Sequence, residues 1–379
     1  MTEQVLANAR LVLADEMVLG HVHVRGGRIA AVGTGAVPQG AQDLDGDFVV
    51  PGLVELHTDH VEGHLSPRPK VRWNPMAAAM AHDAQIAASG ITTVFDSLRI
   101  WPDKGVSSLD GDLPRLVAAL AEARAAGVLR ADHFLHLRCE VPTKTVVEDA
   151  AAVMTIAPVS LISLMDHTPG QRQFASVEQF ASYYMEKAGI GPQEMDAIIA
   201  SRIAFQECYA RANRQELVAL AHAHGCVLAS HDDATAEHVA QAVAEGAALA
   251  EFPTTYEAAK LSHAAGVRVL MGAPNLVRGG SHTGNVAAED LAREGMLDIL
   301  SSDYVPSSLL WAAFELPRRV PSITLPEAVR MVSRTPARAA GLDDRGEIAA
   351  GQRADLVRVR LVGDMPVVRE VHRAGIRVA

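Results

Sequence analysis

Histidine and carboxylate side chains occur at short spacing in segment 49–75, which begins as an apolar stretch and continues as a polar loop. His57 and Asp59 follow the apolar residues directly, in a run of histidine and acidic residues that ends at His64. Side chains two residues apart in an extended strand point to the same side, so this pair can reach one point beyond the strand end. An imidazole nitrogen and a carboxylate oxygen there suit a divalent transition-metal ion. Taken alone, the segment also fits a solvated polar loop.

The same residue types end most of the other apolar segments in the middle of the chain. These segments end in Glu140, Asp166-His167, His231-Asp232-Asp233, Glu251 and Asp303. Several metal-competent groups at strand ends predict a metal centre, and we expect two ions rather than one. In this interpretation Glu140 bridges the ions, with one held by His57 and Asp59 and the other by His167 and His231.

Asp303 is the candidate catalytic residue. A carboxylate at the end of the last strand can orient a water molecule beside the metal ions and accept its proton. Its alternative role is a further metal ligand, and the two roles are compatible.

A glycine-rich segment, 272–285, offers a second kind of chemistry. Glycines let backbone amides turn toward an anion, and a helix predicted to begin near Ala287 adds a positive end. A basic run at 68–72 can meet the far end of a polyphosphate. Both segments also fit ordinary surface loops. The candidate substrate-binding residues are Arg68, Asn275, Arg278, Gly279, Gly280, Ser281 and His282.

Eight short apolar segments alternate with alanine-rich stretches of helical period, which indicates a parallel sheet covered by helices on both faces. Eight such units predict a (β/α)8 barrel of the TIM type, whose active site lies at the carboxyl ends of the strands. The predicted helices place His82, His222, His224 and His238 as surface or packing residues. The predicted strands are Leu53–His57, Ile91–Ser97, His133–Glu140, Val159–His167, Val227–His231, Ala247–Phe252, Val267–Met271 and Leu297–Ser302.

Both ends of the chain are rich in short strands and turns, including Val5–Ala7 and Arg10–Leu13 near the start. We therefore predict one small β-sandwich-like domain built from both termini. Its predicted boundaries are 1–52 plus 340–379, with the catalytic barrel at 53–339. The insertion 168–226 is either a lid or an interface element.

Composition limits the function classes. The chain has 379 residues and a net charge of −11, which argues against a general nucleic-acid-binding surface. Three scattered cysteines form neither a disulfide framework nor a zinc ribbon. The N-terminal residues lack a signal-peptide pattern, and no apolar run reaches membrane-spanning length. We expect a cytoplasmic protein with a small-molecule substrate and no nucleic-acid or membrane partner; a homo-oligomer stays open.

Two motifs at the ends of the barrel resemble the amidohydrolase superfamily, and the resemblance covers essentially the whole chain. They are Val49-Val-Pro-Gly-Leu-Val-Glu-Leu-His57-x-Asp59 and Gly346-Glu-Ile-Ala-x-Gly-x-Arg-Ala-Asp-Leu-Val357. The resemblance implies a metal-dependent barrel and a small β-domain from both termini. Two features depart from the wider superfamily: His-x-Asp replaces the usual His-x-His, and no lysine stands at a strand end, which leaves Glu140 as the bridge.

The inner motifs are similar to a narrower family, the diphosphatases of the carbon–phosphorus lyase pathway. This similarity implies hydrolysis of α-D-ribose 1-methylphosphonate 5-triphosphate, or a related 1-phosphonate, to the 5-phosphate and pyrophosphate with Zn, Mn or Fe. It implies the ligands His57, Asp59, Glu140, His167, His231 and Asp303. His60 departs from the asparagine expected there. The motifs include Glu55-Leu-His-Thr-Asp59, Leu65-x-Pro-Arg-Pro69, Ser230-His-Asp-Asp233, Glu251-Phe-Pro-Thr-Thr255, Arg278-Gly-Gly-Ser-His282 and Ser301-Ser-Asp-Tyr304.

Two other functions remain compatible with the sequence. The superfamily's majority chemistry is hydrolysis of a C–N bond, by a deacetylase or a cyclic amidase. A multi-donor anion site at 278–282 argues against it, because amide hydrolysis does not require such a site. A non-catalytic assembly protein would also use this fold, and the retained strand-end ligands argue against that.

Overall fold

The structure is a computed structural model that describes residues 3–68, 70–100, 111–173, 176–188, 191–281 and 284–379. Its strands form three groups along the chain. The N-terminal group is β1 (Glu3–Val12), β2 (Met17–Arg25), β3 (Arg28–Gly33), β4 (Gln42–Asp43) and β5 (Phe48–Pro51). The central group is β6 (Leu53–Thr58), β7 (Ile91–Ile100), β8 (Asp132–Glu140), β9 (Val159–Met165), β10 (Val227–His231), β11 (Leu249–Glu251), β12 (Arg268–Gly272) and β13 (Ile299–Ser301). The C-terminal group is β14 (Leu356–Val362), β15 (Met365–Arg373) and β16 (Ile376–Arg377).

The central strands form one eight-stranded sheet in the sequential order β6 to β13. Each pairing described between neighbouring strands in this sheet is parallel. Helices separate the strands, as parallel pairing requires, because each connection must return to the same end of the sheet. The predicted (β/α)8 barrel is confirmed, and all eight predicted strands occur with bounds shifted by a few residues.

Helices lie between and after these strands, as the alanine-rich stretches of helical period predicted. Three helices fill most of the predicted insertion 168–226, with a π-helical turn at Gln206–Ala210 between the last two. The helices are α1 (Val61–Leu65), α2 (Pro75–Ala88), α3 (Leu113–Ala125), α4 (Val146–Ile156), α5 (Val177–Ala188), α6 (Pro192–Phe205), α7 (Arg211–His224), α8 (Ala236–Ala244), α9 (Tyr256–Ala264), α10 (Ala273–Arg278), α11 (Ala288–Arg293), α12 (Ser308–Arg319), α13 (Leu325–Arg330) and α14 (Arg334–Ala339).

The terminal strands form a second sheet in the order β16-β15-β14-β5-β1-β2-β3, with β4 beside β1. Most of its pairings are antiparallel, and one face packs on a buried core that includes Leu11, Val22 and Leu356. This confirms the predicted small β-domain from both termini. The boundaries predicted for it stay a prediction.

One detail of this sheet differs from the prediction. The two strands predicted at Val5–Ala7 and Arg10–Leu13 are a single strand, β1, with a shift of register between Leu6 and Ala9. Asn8 lies at this irregularity with a φ of 53°. Asparagine tolerates the left-handed region, so the strand bends there without ending.

The described residues cluster into two units that do not coincide with the two sheets. One comprises Met1–Asp96, Glu122–Phe134 and Met271–Ala379, and the other Ser97–Ala121 and Leu135–Leu270. Within the first unit the first and last strands of the central sheet meet: Thr58 forms a bridge with Asp303. The Ser301 hydroxyl donates to Glu55 Oε1 at 2.6 Å, and the buried Glu55 thereby fixes the ends of both strands.

Candidate active site

Two histidines of the second unit converge on one carboxylate oxygen. His167 follows β9 and His231 ends β10, and the Nε2 atoms of these rings lie 3.4 Å and 3.5 Å from Asp232 Oδ2. All three side chains are buried, and their donor atoms lie within 4.8 Å of one another. Two imidazoles and a carboxylate at such separations can bind one divalent transition-metal ion.

The Nδ1 atom of each of these rings contacts a second carboxylate. His167 Nδ1 lies 2.7 Å from Glu140 Oε2, while the His167 backbone N–H donates to Glu140 Oε1 at 2.7 Å. His231 Nδ1 lies 3.1 Å from Glu251 Oε2, which also accepts from the Ser163 hydroxyl at 2.6 Å. Carboxylates placed behind histidine ligands fix the tautomer and the ring orientation and raise the basicity of the ligand nitrogen. The convergent Nε2 atoms are therefore preorganised for a cation.

The electrostatics of the cluster favour a positive charge at its centre. Burial opposes protonation of His167, yet Glu140 and Asp232 raise its pKa to about 9. Burial lowers the pKa of His231, which keeps that imidazole neutral and able to donate a lone pair. Burial would raise the pKa of Asp232, but His231 and His167 hold it below its usual range. The donor set fits a bound divalent metal ion.

The backbone at two strand ends adopts an unusual conformation. Asp232 and Asp303 each have a φ of 54°, in the left-handed region. The Asp232 N–H donates to the Glu251 carbonyl at 2.9 Å, and the Asp303 N–H donates to the His57 carbonyl at 3.2 Å. These bonds to a neighbouring strand hold both aspartates at the carboxyl end of the sheet. Strained residues at strand ends are typical of functional sites.

The remaining predicted metal residues lie in the first unit. His57 is buried near the end of β6, and Asp59 is half-buried just beyond the strand. Asp303 is half-buried and lies next to His57 through the backbone bond described above. The structure therefore brings His57 and Asp303 to adjacent strand ends. The ligand roles of these residues, and the bridging role of Glu140, stay predictions.

The predicted anion loop is partly a helix. Residues 273–278 form α10, because Pro274 suits the first helical turn and Gly279, at a φ of 85°, forms the left-handed cap. Arg278 is the last residue of this helix and is exposed. The segment interpreted as a glycine-rich loop is therefore helical over its first half.

The other predicted substrate residues have mixed surroundings. Asn275 accepts a hydrogen bond from the Ala288 N–H at 3.0 Å, and its amide donates to the Val286 carbonyl at 3.4 Å. Asn275 therefore connects α10 to the start of α11, which begins as predicted. Gly280 has a φ of 142°, Ser281 is half-buried and Arg68 is exposed. His282 lies outside the described residues.

Two residues of the cluster were absent from the ligand set inferred from the sequence. Asp232 forms the point of convergence, and Glu251 orients His231. Both were visible as acidic residues at strand ends, and this was the available signal. Arg172 and Asp233 add a buried ion pair beside them, and Arg172 also donates to the His231 carbonyl at 3.2 Å. Nothing in the local sequence indicated that pairing.

The amidohydrolase family profile matches residues 84–377, and this protein belongs to the amidohydrolase family. It is 45% identical over 377 residues to the α-D-ribose 1-methylphosphonate 5-triphosphate diphosphatase of Escherichia coli K12, covering 99% of this chain and 100% of that enzyme. It is 28% identical to an imidazolonepropionase of Deinococcus radiodurans, over 88% of this chain and 84% of the relative.

The fold is similar to that of solved amidohydrolase structures. The N-acetyl-D-glucosamine-6-phosphate deacetylase of Mycobacterium smegmatis superposes with a TM-score of 0.64 at 19% identity, over 99% of this chain and 100% of that one. At that identity the likeness concerns the fold alone. Among the described residues, every helix is too short or too polar to cross a membrane.

Proposed function

We propose that this protein is a metal-dependent hydrolase that cleaves α-D-ribose 1-methylphosphonate 5-triphosphate, or a related ribose 1-phosphonate 5-triphosphate. One water molecule is consumed, and the products are the 5-phosphate and pyrophosphate. The observation that carries the proposal is the full-length 45% identity to a relative with that named activity. The buried donor cluster at His167, His231 and Asp232 supports it, because anhydride hydrolysis of this kind is metal-assisted.

The residues at the strand ends have separate roles in this proposal, metal binding and proton transfer. His167, His231 and Asp232 would hold one divalent ion, and His57 with Asp59 would hold a second; Zn, Mn and Fe are the candidate metals. Such ions make a bound water more acidic and offset the negative charge of phosphoryl oxygens. Asp303, at the strand end, accepts the proton of the attacking water. The cytoplasmic location and homo-oligomeric state stay open.

A second candidate is hydrolysis of a C–N bond. The imidazolonepropionase relatives, each at 28% identity or less, favour it only weakly.

Phosphorus NMR of the reaction products tests the proposal. The purified protein is incubated with the ribose 1-phosphonate 5-triphosphate and, in turn, Zn²⁺, Mn²⁺ or Fe²⁺. We expect the triphosphate signals to be replaced by those of pyrophosphate and a 5-phosphate. A parallel assay with N-acetylglucosamine 6-phosphate follows acetate release. Acetate release without pyrophosphate formation would show that the protein hydrolyses a C–N bond and would contradict the proposed function.

Arg278 tests the anion-binding part of the proposal. Its guanidinium is exposed at the end of α10, beside two glycines with positive φ, and can hold two phosphate oxygens at once. A hydrogen bond to a charged group contributes about 1.5–3 kcal/mol, so Arg278→Ala should lower kcat/KM for the triphosphate roughly 10- to 200-fold. The diphosphate analogue should be affected less.

Arg278→Lys is the matched variant, because it restores the charge without the two parallel donors. It should recover only part of the loss. If Arg278→Ala had the same kcat/KM as wild type for both the triphosphate and the diphosphate, Arg278 would not be part of the substrate site.

A further inference from the structure

A second group of metal-competent side chains lies between helix α2 and strands β7 and β8, and the proposed reaction does not use it. It consists of His82 on α2, Asp96 on β7 and His133 on β8, which belong to the first unit. Their fractional exposures are 0%, 0% and 5%. His82 Nε2 lies 2.8 Å from Asp96 Oδ1, and His133 Nδ1 lies 2.8 Å from Asp96 Oδ2.

The spacing of these atoms is that of a ligand set. One donor atom from each residue lies within 4.8 Å of the other two. Two imidazole nitrogens and one carboxylate form a donor set that suits zinc and similar divalent ions. Apolar side chains usually fill the space between a strand and the helix packed on it. Burying two histidines and an aspartate there costs free energy unless they are paired or bind an ion.

A further carboxylate supports His133 from the opposite side. Asp83 Oδ1 lies 3.3 Å from His133 Nε2, and it also accepts from the backbone N–H groups of Arg130 and Ala131, at 2.8 Å and 3.0 Å. Asp83 is therefore fixed in place, and it directs His133 Nδ1 toward Asp96. A carboxylate behind a histidine is the usual support of a metal-bound imidazole. The arrangement repeats the one at His167 and His231.

One ring nitrogen of His82 contacts Asp96, and the other has no described partner. The side chain is completely buried, and its Nδ1 atom has no hydrogen-bond partner among the described residues. A buried nitrogen without a partner costs free energy unless the ring serves another purpose. A metal ion at Nε2 would leave Nδ1 protonated and still without a partner, so the unpartnered nitrogen does not itself indicate an ion.

Two more histidines lie near the cluster. The rings of His60 and His64 are half-buried and lie 6.2 Å and 6.0 Å from the His82 ring. Both direct Nε2 to Gln85 Oε1, at 2.9 Å and 3.1 Å. His60 and His64 thus add two half-buried nitrogen donors near His82.

We propose that His82, Asp96 and His133 bind a divalent transition-metal ion of the zinc class, with Asp83 as the supporting carboxylate. The ion joins α2 to β7 and β8, and its three ligands are not among the residues assigned to the proposed reaction. The competing occupant of this space is a proton. Burial alone would disfavour it, but Asp96 and Asp83 raise the pKa of His133 to about 9. The test must therefore distinguish an ion from a protonated imidazole.

Anomalous diffraction from crystals of the full chain grown with Zn²⁺ makes this distinction without any variant. Data from both sides of the zinc absorption edge should show a peak between the three side chains, roughly 2.0–2.1 Å from the two nitrogens. Anomalous density at the strand-end donors with none at His82, Asp96 and His133 would overturn the proposal in favour of the proton.

Zinc stoichiometry in solution gives a second readout that does not depend on activity. After equilibrium dialysis against Zn²⁺, wild type should bind one ion per chain more than His133→Gln. The matched control His224→Gln changes an exposed helix histidine and should bind as wild type does. Asp83→Asn removes only the supporting charge and should weaken this one site roughly 10- to 100-fold. A folded His133→Gln protein with the wild-type stoichiometry would overturn the proposal.

Discussion

We expect the Asp303→Asn protein to keep its fold and to hydrolyse the triphosphate about 10²- to 10⁴-fold more slowly than wild type, the usual scale for removing a general base. Asparagine retains the size of the side chain and tolerates the left-handed φ of 54° found at this position. The change therefore removes the proton acceptor with little effect on the backbone bond from residue 303 to the His57 carbonyl.

The effect should fall on kcat more than on KM, because the carboxylate acts on the water and not on the bound substrate. Asp290→Asn, the same substitution at an exposed position of α11, is the matched control and should turn over at the wild-type rate. Metal content is measured on both proteins. Near-native kcat in Asp303→Asn would exclude Asp303 as the base.

The second large effect concerns His231. We expect His231→Ala to lose metal and to fall roughly 10³-fold in kcat/KM, the equivalent of about 4 kcal/mol of transition-state stabilisation. His231 Nε2 is one of the two nitrogens that converge on Asp232, and the substitution also leaves the buried Glu251 carboxylate without its histidine partner. Elemental analysis and turnover are measured on the same preparation.

Added metal separates two causes of that loss. If His231 is a ligand, excess Zn²⁺ or Mn²⁺ should restore part of the activity by occupying the weakened site. His224→Ala, an exposed histidine on α7, should show wild-type occupancy and rate. Unchanged metal content and rate in His231→Ala would remove this residue from the metal centre.

The positions of the strand-end donors were predictable because they depend on local periodicity. Apolar segments of five to nine residues bounded by glycine and polar residues predicted each barrel strand, and the acidic or histidine residues at the ends of most of them followed from counting. In the same way, strand-rich termini on either side of a helical middle predicted the terminal sheet. These inferences need only the pattern of burial along a chain, which the sequence contains.

Contacts between distant residues were not predictable in this way. His231 is neighbour to Asp232 in sequence, yet the convergence of His167 on the same oxygen depends on how β9 and β10 pair. The helix α10 at the expected glycine-rich loop was also missed, because a proline and a glycine can bound a short helix as well as a loop.

The cluster of His82, Asp96 and His133 shows most clearly what could not be predicted from the sequence. From the sequence we predicted that His82 lies on a helix as a surface or packing residue, which is the usual role of a lone helical histidine. Only the tertiary structure brings His82 to Asp96, 14 positions further along the chain. Asp96 in turn contacts His133, a further 37 positions along. Sequence alone indicated which residues are competent to bind a metal and, to within a few positions, where each strand ends. The packing of helix against sheet decided which of them share a site, because side-chain proximity arises from strand register and helix orientation, and local sequence does not specify either.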